Sequence, residues 1–150
     1  MKLFLLSIFL LCSLIVSGQN STVCLLYSPT DKGIGFRYDK QINNVGIYGS
    51  ACRGSYWVSD GVRINNHVKL STGFVKYVPN MIEKVINVFS LGVSFHSYGT
   101  VKGEYIPTPD HLFFPVSVEA GVGFLINHFN IGWCYDPLKK EVVVNSGYYF

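Results

Sequence analysis

Residues 116–126 read VSVEAGVGFLI, a stretch in which bulky apolar side chains alternate with small or polar ones. The apolar set consists of Val116, Val118, Ala120, Val122, Phe124 and Ile126. The set between them consists of Ser117, Glu119, Gly121 and Gly123. Because successive side chains of a β-strand point to opposite faces, this period of two predicts a strand with one apolar face and one small, polar face.

The same alternation recurs along the chain, most clearly at 33–39, 67–74, 89–96 and 129–136. Turn signals divide the chain into eight predicted strands, at 22–28, 33–39, 44–57, 62–78, 83–99, 113–126, 129–136 and 139–150. Residues 80–89 (NMIEKVINVF) offer the one helical pattern, and they run directly into a strand pattern. We therefore predict an all-β, eight-stranded, antiparallel up-and-down barrel, since an even number of strands closes with both chain ends on one side.

The composition of the two strand faces indicates where the apolar side chains point. The chain is 49% hydrophobic and only 14% charged, whereas soluble domains are about 25% charged. The polar faces carry mostly Gly, Ser and Asn, which suit a narrow barrel interior, and the bulky faces suit lipid. This favours a transmembrane barrel. The alternative is a soluble secreted barrel, in which the same apolar residues line a cavity for a hydrophobic ligand.

The first 18 residues have the pattern of a secretory signal peptide. Lys2 precedes about fourteen mostly apolar residues, which is short for a membrane span of about twenty. Val16 and Gly18 supply the small residues that precede a cleavage site, so we expect a signal peptide at 1–18 and a barrel domain at 19–150. The basic residues are scattered and the net charge is +3, so nucleic acid is not an expected partner.

The charged residues on predicted inward faces include Arg37, Lys69 and Glu119. An interior charge needs a partner, so we expect Glu119 to pair with Arg37 or Lys69 and the residues to form a rigid polar core. A narrow pore is the alternative function that this polar interior leaves open. Cys52 and Cys134 fall on the same face and could form a disulfide, although small buried side chains fit the pattern better.

The sequence gives no pattern for a cofactor, a metal or a catalytic centre. The four His residues lie in separate segments without Cys partners, so no zinc motif is present. His96 stands beside Ser97, with Glu104 further on, but adjacent strand residues face opposite sides and a direct Ser–His bond is not expected. We therefore expect a protein that is not an enzyme.

The end of the chain, VVVNSGYYF at 142–150, alternates up to its last residue. With Tyr148 and Phe150 on one face, it resembles small bacterial outer-membrane β-barrels of the OmpA/OmpX type, whose terminal Phe is read by the barrel-assembly machinery. The resemblance implies outer-membrane lipid and that machinery as partners, with a structural or adhesive role. The longest connection, loop 100–112, is the expected contact region for a surface ligand. Its candidate contact residues are Tyr105, Pro107 and His111.

Overall fold

A computed structural model describes residues 20–57, 63–97, 101–102 and 116–150. The strands are β1 (Ser21–Ser28), β2 (Gly33–Ile42), β3 (Val45–Trp57), β4 (Arg63–Pro79), β5 (Val85–Ser97), β6 (Val101–Lys102), β7 (Val116–Ile126), β8 (Phe129–Asp136) and β9 (Glu141–Tyr149). The part of the chain that the structure describes contains no helix long and apolar enough to cross a bilayer. The predicted signal peptide at 1–18 lies outside the described residues.

The eight long strands close into an antiparallel barrel. Each pairs with the next one along the chain, β3 pairs with β4, and β1 pairs with β9 to complete the ring. The two-residue β6 pairs with the start of β4. This confirms the predicted fold class. The strand boundaries agree with the prediction to within a few residues, except that β2 continues through 40–42, where a connection was predicted.

The turns differ in length at the two ends of the barrel. At one end, β2 joins β3 and β7 joins β8 through two-residue loops, 43–44 and 127–128. Asn43 and Asn127 adopt positive φ angles of 60° and 54° there, a conformation that Asn tolerates and that tight hairpins need. We call this the turn end, and the opposite end, which carries 29–32, 137–140 and the connection from β5 to β7, the loop end.

The C-terminal strand is fully integrated into the ring. The Phe150 amide donates to the Ser21 carbonyl at 2.9 Å, and the Asn20 amide donates to the Phe150 carbonyl at 3.0 Å. These bonds continue the β1–β9 ladder to the last residue. The backbone groups at the end of the chain are therefore satisfied, as closure of a barrel requires.

Burial follows the predicted alternation along β7 and β8, with the apolar face outward. On β7, Ser117 and Glu119 are buried, whereas Val118 and Val122 are exposed. Every long strand contributes bulky apolar side chains to the outer surface, for example Leu25, Phe36, Ile47, Phe74, Leu91, Phe124, Trp133 and Val144. The alternative in which these residues line an internal cavity is therefore wrong for the residues that the structure describes.

Candidate functional site in the barrel interior

Glu119 is a central charge of the interior network. Its carboxylate lies 2.9 Å from the Lys69 ammonium and accepts hydrogen bonds from the hydroxyls of Tyr48 at 2.7 Å and Ser71 at 3.2 Å. Lys69 also reaches Glu141 at 3.3 Å. Since all of these groups are buried, each ion is compensated by several partners instead of water.

Tyr48 can reach Glu119 because two glycines leave room for its ring. A methyl group at Gly73 would lie 2.7 Å from Tyr48 Cε1, and one at Gly92 would lie 2.1 Å from Tyr48 Oη. These glycines occupy neighbouring positions on β4 and β5. The sequence predicted small residues on the inward face. In the structure, two of them, Gly73 and Gly92, make space for the Tyr48 side chain to cross the interior.

Arg37 belongs to a neighbouring part of the same network. Its Nε donates to Asp39 at 2.7 Å, one of its terminal nitrogens donates to the Cys134 sulfur at 3.3 Å, and its guanidinium lies 4.1 Å from the centre of the Tyr48 ring. Of the two partners expected for Glu119, the structure therefore places Lys69 beside it. Arg37 connects to Glu119 through Tyr48.

The cysteines of the described residues are free. Cys24, Cys52 and Cys134 are all buried thiols, so the alternative of a Cys52–Cys134 disulfide is wrong for this structure. The Cys134 sulfur instead accepts from Arg37 and lies 3.7 Å from the Ser90 hydroxyl. Buried apolar surroundings are the usual environment of inert structural thiols.

A second chain of contacts, at the loop end, links two histidines to carboxylates. Asp31 Oδ2 lies 2.5 Å from His67 Nδ1, and His67 Nε2 lies 3.0 Å from His96 Nδ1. The two imidazole rings are stacked, with their centres 5.2 Å apart. The carboxylate accepts from His67, which fixes the tautomer of His67 and then that of His96 when both rings are neutral.

At the far side of His96, Nε2 lies 2.8 Å from the Ser117 hydroxyl and 3.3 Å from Asp136 Oδ2. Ser117 itself forms a short hydrogen bond to the same Asp136 oxygen. His96 thus contacts a serine across the sheet, whereas Ser97 is exposed on the outer face. Ser117 is buried, and no cavity for a substrate adjoins it within the described residues.

Lys139 lies beside this chain, in the connection from β8 to β9. Its side chain is buried, and its backbone amide donates to Asp136 Oδ1 at 3.0 Å. Burial lowers the pKa of its ammonium, although the charges of Asp136 and Glu141 act in the opposite direction. Lys139 and Lys69 therefore both interact electrostatically with Asp136 and Glu141.

The interior is closely filled. Among the described residues, cavities of about 10 Å³ lie beside Lys69 and Glu119 and beside Asp39 and Asn130, and each has room for about one water molecule. Near the turn end, apolar side chains lie on the inward face beside the buried polar residues Thr22 and Asp39. Val75, Tyr77, Val88 and Leu125 pack together there and form what we call the apolar floor.

The aromatic residues at the end of the chain form an outer cluster. Tyr148 packs edge to face against Phe150 at 5.0 Å and against Phe129 at 5.9 Å, and its ring stacks on His128. All of these rings are on the outside at the turn end. The candidate loop contacts Tyr105, Pro107 and His111 lie outside the described residues.

Sequence reasoning did not single out four residues near the loop end: Asp31, His67, Asp136 and Glu141. The alternation places His67 and Asp136 on inward faces, but it does not place them next to His96, because cross-barrel neighbours depend on the stagger of the closed sheet. Asp31 lies in a predicted turn, and Glu141 lies near the start of a predicted strand. The sequence shows only whether a residue has an odd or even position along its strand. That position predicts whether the side chain points into the barrel, but it does not predict which side chains on other strands it contacts.

Comparison with protein-family models finds no match for this chain, and comparison with curated proteins finds none either. The fold and the interior network are therefore the basis for assigning a function.

Proposed function

We propose that this chain is a bacterial outer-membrane β-barrel with a structural, adhesive or surface-interaction role and without catalytic activity. The observation that carries the proposal is the continuous apolar outer surface around a polar interior. A soluble barrel would have to expose this surface to water, whereas lipid accommodates it.

The strands are long enough to support a bilayer, and the outer aromatic cluster agrees with one. A tilted strand crosses the hydrocarbon region in about 9–11 residues. Three strands, β2, β7 and β9, have 10, 11 and 9 residues, whereas β3, β4 and β5 are longer and β1 and β8 have 8 each. Tyr148 and Phe150 lie near one end of this band, where aromatic side chains are favoured at the membrane interface. This arrangement supports Tyr148 and Phe150 as lipid-interface residues and as the signal for the barrel-assembly machinery.

The interior does not favour the narrow pore. The network around Glu119 fills the middle of the barrel, and the apolar floor lies between it and the turn end. A filled interior suits a rigid support for external loops, since loops on a fixed scaffold commonly carry binding functions. In this proposal, loop 100–112 holds the surface contact, with Tyr105, Pro107 and His111 as candidate residues.

Membrane fractionation combined with heat-modifiable gel mobility tests the location. The folded chain should sediment with outer membranes and should migrate differently before and after boiling, as compact detergent-resistant barrels do. Recovery of the folded chain in the soluble fraction would contradict the proposal.

Fluorescent labels on the outer face provide a test of orientation. Labels at Phe95→Cys and Phe124→Cys, positions that are 51% and 39% exposed, should be quenched by quenchers carried on lipid tails. A label at Glu83→Cys, in the exposed turn 80–84, should respond instead to a water-soluble quencher. If the lipid-borne quenchers fail to reach both strand labels, the outer surface does not face lipid.

The C-terminal aromatic residue offers a test of the assembly signal. We expect Phe150→Ala to lower insertion in cells more than refolding into detergent, because only cells contain the assembly machinery. Phe129→Ala is the matched control, since Phe129 packs on the same Tyr148 ring but lies on β8. An equal loss of cellular insertion in both variants would show that aromatic packing alone explains the effect.

A further inference from the structure

Three side chains near the loop end of the interior are arranged as metal ligands. One ligand atom from each of His96, Asp136 and Glu141 lies within 4.8 Å of the other two, and all three residues are buried. They come from β5, β8 and β9. We propose that this cluster binds a divalent transition-metal ion, for which Zn²⁺ is the probe, and that the ion links these three strands across the barrel.

The closest pair already has the spacing of two ligands on one ion. His96 Nε2 and Asp136 Oδ2 are 3.3 Å apart. Zinc binds imidazole nitrogen and carboxylate oxygen at about 2.0–2.2 Å in tetrahedral geometry, which puts neighbouring ligand atoms about 3.3–3.5 Å apart. Only Glu141 has to approach further for the three to share one ion.

The histidine pair orients His96 for this role. With both rings neutral, His67 donates from Nδ1 to Asp31 and accepts at Nε2 from His96 Nδ1. The lone pair of His96 Nε2 then points at Asp136. Metal-binding histidines typically use their other nitrogen in a hydrogen bond of this kind, which fixes the tautomer and the ring orientation. Nε2 also contacts the Ser117 hydroxyl at 2.8 Å, so a cation bound between Nε2 and the carboxylate would replace or include that contact.

Glu141 supplies an independent observation. It is only 1% exposed, and its Oε1 atom has no hydrogen bond, although the Ser28 hydroxyl lies near the carboxylate. Its other oxygen pairs with Lys69. A buried carboxylate oxygen without a partner is costly, and coordination of a cation would remove that cost.

The charge balance of the loop end also favours a divalent cation. Among the described residues there, four carboxylates face two ammonium groups: Asp31, Glu119, Asp136 and Glu141 against Lys69 and Lys139. The carboxylates outnumber the ammonium groups, and a bound cation would offset that excess. The mixed nitrogen and oxygen ligands select a transition metal over Mg²⁺, which prefers six oxygen ligands.

Titration calorimetry of the untagged chain, folded in detergent and freed of metal with a chelator, tests this site. We expect saturable binding of one equivalent of Zn²⁺ and no comparable binding of Mg²⁺. His96→Gln and Glu141→Gln should each weaken Zn²⁺ binding at least tenfold, a loss of about 1.4 kcal/mol. The matched controls His128→Gln and Glu83→Gln, both in exposed turns at the other end, should leave it unchanged.

Cobalt provides a readout that does not depend on the variants folding. Co²⁺ bound to the folded wild-type chain should give the intense visible absorption of four-coordinate cobalt, and Zn²⁺ should displace it. The absence of saturable Zn²⁺ binding to the folded wild-type chain, or a Co²⁺ spectrum like that of the hydrated ion, would overturn the proposal. Equal weakening by the control variants would also overturn it, because it would place the ion on the surface.

Discussion

Glu119→Gln is expected to destabilise the barrel by about 3–5 kcal/mol, because it removes one partner of a buried ion pair. Lys69 then retains a full charge with Glu141 as its ion-pair partner at 3.3 Å, and the Tyr48 hydroxyl loses a charged acceptor at 2.7 Å. The volume of the side chain is unchanged, so the loss measures electrostatics instead of packing. Urea unfolding in detergent or lipid vesicles, followed by gel mobility, measures this free energy of unfolding.

Two further variants identify the cause. Glu83→Gln changes an exposed turn acid and should alter the stability by less than about 0.5 kcal/mol. Lys69→Met combined with Glu119→Gln and Glu141→Gln should recover part of the loss, since it removes the ammonium together with both of its carboxylate partners. If Glu119→Gln and Glu83→Gln have equal effects, the interior ion pair does not stabilise the fold.

Gly92→Ala is expected to destabilise the barrel by about 2 kcal/mol, which is typical of overpacking a filled core. The new methyl group would lie 2.1 Å from Tyr48 Oη and 2.5 Å from the Thr72 carbonyl oxygen. The tyrosine can move, but the carbonyl belongs to the sheet and cannot move without breaking the β4–β5 ladder. The unfolding midpoint and the near-ultraviolet circular dichroism of the tyrosines should both change.

Gly49→Ala is the matched control for this substitution. Gly49 lies on β3 with its missing side chain directed outward, and a methyl group there would have no atom within 4 Å. Replacing such a glycine restricts the unfolded chain, so the stability should stay level or rise by about 0.4–1 kcal/mol. A similar loss in Gly49→Ala and Gly92→Ala would mean that the tyrosine pocket has no special role.

The alternation of side chains was sufficient to predict the strands and the sides of the sheet that they present. Parity along β7 places Glu119 inside and Val122 outside, and the structure agrees. Local composition was misleading at 40–43, where polar residues suggested a connection. Lys40 and Gln41 instead pair with Ile47 and Gly46, because the tight loop at 43–44 fixes the register of the hairpin.

The network could not be predicted because its contacts cross the barrel. Asp31 and His67 are 36 residues apart, and Tyr48 and Glu119 are 71 apart. Which of these residues meet depends on the stagger between strands and on the two glycines that admit the Tyr48 ring. Neither property is visible in the periodicity of a single strand.

The apolar floor separates the polar middle of the barrel from the turn end. A charge that moved from the interior towards the turn end would have to pass between Val75, Val88 and Leu125, where removal from a polar environment costs several kcal/mol. Within the described residues, the apolar floor therefore places a barrier between the ion pair of Lys69 with Glu119 and the turn end. The charge state of that ion pair should respond to the medium at the turn end more slowly than an exposed group there, such as Glu83.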